Sequence, residues 1–140
     1  MRSPIPWELL LLIFTVTACS TQPSSKQVAN ELKTVTSWTA TAHMVGNFWL
    51  EGKVPHAYAK QTLQTAQKKL QEEIDTLAEV TPAENRKTVI NEVEMLRETV
   101  GQMAKTVDQK DRNALTKSIE QLSNQEQAIH NLAKAVGGQS

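Results

Sequence analysis

The sequence predicts an all-α fold, an antiparallel up-down-up-down four-helix bundle. Three observations carry that expectation. Four stretches of similar length repeat apolar residues at helical spacing. The segments between them are too short for anything but antiparallel neighbours. Glycine and proline are few, and those in the body stand mostly where helices should start or stop. The predicted domain covers 26–138, with helices at about 26–51, 55–79, 82–108 and 111–136.

The chain before this domain has a different character. Arg2 is followed by an apolar run from Leu9 to Val16 and then by Val16-Thr17-Ala18-Cys19. The run is too short to span a bilayer, which needs about 20 apolar residues, and it has the length of a secretory signal core. Residues 1–18 therefore read as a signal peptide. Val16-Thr17-Ala18-Cys19 resembles the lipobox of bacterial lipoproteins: an aliphatic residue, two small ones, then cysteine. The resemblance covers the signal alone. It implies diacylglycerol transfer to the Cys19 thiol, cleavage before it, and a mature chain whose acylated N-terminus sits in a membrane. Two or three acyl chains anchor a protein stably where one does not. Ser20 follows the cysteine, where aspartate often marks inner-membrane retention in lipoproteins. Its presence suggests the periplasmic face of the outer membrane in a host with two membranes. Val16 and Ala18 would equally suit ordinary signal cleavage after Ala18, leaving Cys19 as a free thiol.

Residues 19–25 are the lipidated cysteine and, from Ser20 to Ser25, a polar, proline-bearing tether. Six such residues reach at most ~20 Å, which keeps the folded part close to the bilayer. In the first helix Val28, Leu32, Val35, Ala42 and Trp49 align, with Thr39 and Gly46 at small positions and Gly52 as a C-terminal cap. Its threonines, Thr34, Thr36, Thr39 and Thr41, lower helix propensity. In the second, Ala59, Leu63, Ala66, Leu70, Ile74 and Leu77 form the stripe, and Pro55 suits a first turn. The third stripe is the most regular: Val89, Val93, Leu96, Val100, Met103 and Val107. Thr81-Pro82-Ala83-Glu84 before it reads as a capping box with proline in the first turn. In the fourth, Leu115, Ile119, Leu122, Ile129, Ala133 and Val136 face inward and Gly137-Gly138 closes the helix. Glu126 falls on this stripe, which places it at the edge or demands a partner such as lysine.

Residues 108–113 carry neither glycine nor proline. A continuous helix through them, forming a long helical hairpin or coiled-coil oligomer, is the alternative architecture. The break in the apolar stripe between Val107 and Leu115 favours a turn.

Charge excludes several functions. Lys+Arg and Asp+Glu are 15 each, and loss of Arg2 and Glu8 with the signal leaves the body neutral. A neutral body gives no electrostatic footprint for nucleic acid and no polybasic face for anionic lipid. With a single cysteine there is no internal disulfide and no thiolate metal cage. No phosphate loop, H-E-x-x-H, nucleophile elbow or Cys–His pair occurs, and the helical glutamates read as a solvated, salt-bridged face. The expectation is a protein without catalytic residues and without a cofactor beyond the lipid on Cys19. Met44 and His130 are of the type that holds haem in four-helix bundles, but an antiparallel arrangement sets them at different heights.

The aromatic residues of the body are unevenly placed. Trp38, Phe48, Trp49 and Tyr58 all fall in the one stretch from Trp38 to Tyr58, as do His43 and His56, and residues 48–56 sit at the first turn. Phe48, Trp49 and Leu50 are consecutive, and one helix face cannot bury all three. They form either a plug closing the end of the bundle or, with Lys53, His56 and Tyr58, a surface that contacts a partner. The leading expectation is a non-enzymatic interaction module of the cell envelope, anchored by lipid and bound to another envelope protein or to itself. The alternatives are a small-ligand, haem or metal carrier using His43, His56 or His130, and a coiled-coil spacer.

Overall fold

The computed structural model describes residues 25–137, so the signal at 1–18, Cys19, the tether up to Ser24 and Gly138 lie outside the described residues. The described chain is four helices and their turns: α1 (Ser25–Leu50), α2 (His56–Val80), α3 (Ala83–Asp108) and α4 (Arg112–Gly137). Each starts and stops within a residue of the bounds that periodicity predicts. Each packs on the two beside it in a closed square, α4 returning to α1, while α1 and α3 barely touch across the diagonal. This is the antiparallel up-down-up-down four-helix bundle.

The apolar stripes form one core. All six α3 positions from Val89 to Val107 are buried, as are the six of α2. From α1, Val28, Leu32, Val35 and Ala42 are buried together with Thr39 and Gly46, while Trp49 is only half-buried against the cluster. The threonines do not break α1, because Thr36, Thr39 and Thr41 each donate their hydroxyl to the carbonyl four residues back, at 2.9, 2.8 and 3.0 Å. Gly46 permits close approach: a Cβ there would lie 2.9 Å from Met103 Cε and 3.1 Å from Ile119 Cδ1. On α4 the interior position between Leu122 and Ile129 belongs to Gln125, which is buried. Glu126 is turned to the flank, where its carboxylate meets His43 Nδ1 of α1 at 2.8 Å, so its partner is a histidine and not a lysine.

The turns explain the topology. After α1, Gly52 N–H donates to Trp49 O (3.0 Å) and Lys53 N–H to Phe48 O (2.8 Å), with Gly52 at φ 74°. This is a Schellman cap, and its left-handed residue is one that only glycine adopts without cost. The same pair of bonds closes α3: Lys110 N–H to Val107 O (3.0 Å) and Asp111 N–H to Thr106 O (2.9 Å), with Lys110 at φ 57°. Asp111 then caps α4, its Oδ1 accepting from Ala114 N–H at 3.0 Å. The chain therefore turns at 109–111, and the continuous α3–α4 helix does not form.

Two expected caps differ from the structure. Pro55 and Pro82 stand one residue outside α2 and α3, as N-caps with extended ψ values of 153° and 144°. The capping box is not made: Thr81 ends α2, its N–H donating to Leu77 O, and its hydroxyl is buried without a hydrogen-bond partner. With a proline cap there is no side-chain oxygen to offer, so Glu84 contributes its charge to the first turn of α3. The Thr81 carbonyl instead accepts two bonds from the Arg86 guanidinium, at 3.2 and 3.0 Å.

Candidate interaction surface at the turn end

The α1–α2 and α3–α4 turns lie at the same end of the bundle and are tied together there. Lys60 of α2 pairs with Asp108 of α3 at 2.8 Å. The hydrogen bond from Lys60, and then its charge, hold the Asp108 carboxyl below its ordinary value. Arg112, the first residue of α4, donates through Nη2 to the carbonyl of Leu50, the last residue of α1.

The residues singled out in the sequence form two groups, each around one ring, with Leu50 and Tyr58 outside both. Trp49 packs half-buried on the core, and its ring lies 6.3 Å from that of His56, tilted at 56°. The Arg112 guanidinium lies 5.5 Å from the Trp49 ring centre, a cation–π distance. Phe48, half-buried, has the Lys53 ammonium 5.6 Å from its ring centre, and Lys53 is also paired with Glu51 at 2.6 Å. Leu50 is half-buried against the core. Tyr58 stands apart on α2, 54% exposed. His56 Nδ1 is buried without a hydrogen-bond partner. Arg112 belongs to this surface although no local sequence pattern singles it out. Only the bundle closing α4 against α1 brings it within reach of residue 49.

The other candidates are dispersed. Met44 is 51% exposed on α1. His130 is exposed on α4 beside Thr36 and Lys33, lower on α1, so Met44 and His130 do stand at different heights. His43 is engaged by Glu126. Among the described residues no group of three or more His, Cys, Asp or Glu side chains is placed to hold a metal ion, and no helix is long and apolar enough to cross a membrane. A surface cleft of about 410 Å³ lies between α3 and α4, lined by Met95, Glu98, Thr99, Gln102, Gln121 and the buried Gln125. Between α1 and α2, Glu73 lies against Glu31. Burial first, then the hydrogen-bonding contact and charge of Glu31, push the Glu73 carboxyl up to about 7.

The fold and this surface define a four-helix bundle with one aromatic, cation-bearing end. No family model matches the chain, nor does any curated protein or solved structure.

Proposed function

We propose that this chain is a lipid-anchored, non-enzymatic interaction module of the bacterial cell envelope. Cys19 carries the diacylglycerol and the bundle binds an envelope protein, or a second copy of itself, through its turn end. The contact residues are Phe48, Trp49, Leu50, Lys53, His56 and Tyr58, joined by Arg112. The observation that carries this reading is the arrangement at 48–58: Phe48 and Trp49 keep part of their surface in solvent beside cations, and Tyr58 is mostly free. Aromatic and arginine side chains held in this way are the usual anchors of a protein interface. The outer-membrane placement rests on Ser20.

The test is co-purification from native membranes with Phe48→Ala and Trp49→Ala, each checked for an intact fold by circular dichroism. Loss of a stoichiometric partner is the expected outcome. Retention of every partner by both folded variants rules the surface out.

A further inference from the structure

The seam between α1 and α4 carries a furrow at the end opposite the turns. Its first part, about 280 Å³, has a floor of Ala29 and Ala133 and walls of Lys33, Lys134, His130 and Thr36. Small residues make it: the two helices come so close here that a Cβ on Gly137 would lie 3.7 Å from Ala29 Cβ. Beyond Thr36 and His130 it continues as a second hollow of about 260 Å³, lined also by Ser123, Gln127 and Glu126. Ala29 lies nearest the end where the chain enters α1, Lys134, Lys33 and Ala133 follow at about one level, His130 and Thr36 come next, and the second hollow beyond them is polar. No carboxylate lines the first part, and Lys33 and Lys134 form none of the ion pairs seen among the described residues. Glu126, the acid of the second hollow, is committed to His43.

An alanine floor flanked by two lysines and a histidine matches a group that is anionic and lipophilic at once, as a phospholipid is where its phosphate joins its acyl chains. Ala29 is four residues into α1, about 6 Å along the helix, and the tether between Cys19 and Ser25 reaches at most ~20 Å. On the anchored reading above, on which this placement rests, the furrow lies in the half of the bundle that faces the membrane. We infer that it seats an anionic phospholipid of the supporting bilayer, its phosphate between Lys33, Lys134 and His130 and the start of its acyl chain on Ala29 and Ala133. This second contact would fix the bundle's orientation and hold the turn end away from the membrane. The body's neutrality as a whole does not oppose it, because these cations are local and Lys33 and Lys134 enter no ion pair among the described residues.

Among the described residues the buried apolar side chains run from Val28 to Val136, and the test uses the chain 19–140 with Cys19→Ser, which takes no acyl group and keeps the tether, its fold checked by circular dichroism. Flotation with phosphatidylglycerol vesicles, against phosphatidylcholine vesicles, should show binding to the former at low salt. Lys33→Gln with Lys134→Gln should weaken it about 10- to 30-fold, Lys33→Arg with Lys134→Arg should restore it, and Ala133→Leu should weaken it by filling the floor. Equal binding to both vesicles, or unchanged affinity in the Gln pair, overturns the inference. So does saturation of the site by millimolar inorganic phosphate, which would make it a site for the free anion. The acyl mass on Cys19 is measured separately, so a failed furrow and a failed anchor are told apart.

Discussion

Lys110 occupies a left-handed conformation, φ 57°, that costs an L-residue about 1–2 kcal/mol. It does so because Lys110 and Asp111 must reach back to Val107 and Thr106 to end α3. Lys110→Gly should raise stability by about 0.5–1 kcal/mol, read as a higher midpoint in urea at unchanged slope. No gain would mean that the turn is held by other bonds. The same residue explains why 108–113 was ambiguous in the sequence. A Schellman cap normally announces itself with glycine, as Gly52 does after α1, and here the position is filled by a residue typical of helix interiors. Conversely, Thr81-Pro82-Ala83-Glu84 has the letters of a capping box but not its geometry, because the proline takes the cap. Arg112 and the His43–Glu126 pair were illegible for a third reason: each joins α1 to α4, and local pattern does not record which side chains meet across a seam.

Elements were the most legible level. Apolar stripes at spacings of three and four locate all four helices, since a helix of this length is stable chiefly through the face it buries. The α1–α2 seam nevertheless holds a conflict. Glu73 is pressed against Glu31, with Glu72 adding like charge and Lys69 a partial offset, and the Glu73 Oε2 atom is buried with no donor to receive. The two carboxyls can share a hydrogen bond only when one is protonated. The Glu73 carboxyl titrates at about 7 in the bundle, above its ordinary 4.5. Its stabilising effect is therefore complete below about 4.5 and is lost as pH rises through about 7. Thermal melts across this window should show the bundle losing on the order of 1 kcal/mol, after allowance for solvent screening at this partly exposed site. Glu73→Gln should flatten that dependence and be the more stable form at pH 8. An equally steep decline in the variant would place the titrating group elsewhere. Asp108 acts in the opposite sense: its lowered pKa gives stability that is lost only in acid, as pH falls through that value.

At the scale of the whole molecule, helices of 25 or 26 residues make the bundle about 38–39 Å long. The chain enters at one end, and the aromatic turn residues lie at the other. An anchor at Cys19 and a contact surface at Trp49 would thus be separated by the full length of the domain, as a module reaching from a membrane toward a partner requires. Function was less legible than fold because it depends on what the surface meets. The aromatic clustering was visible in the sequence, whereas its cations and its setting against α4 emerge only from packing. The most direct test is native mass spectrometry of the protein extracted in mild detergent from its own membranes. The expected species is a chain starting at an acylated Cys19 with a protein partner, or a second copy, bound in fixed ratio. An unacylated chain without a protein partner, or one carrying only a small bound molecule, would contradict the account.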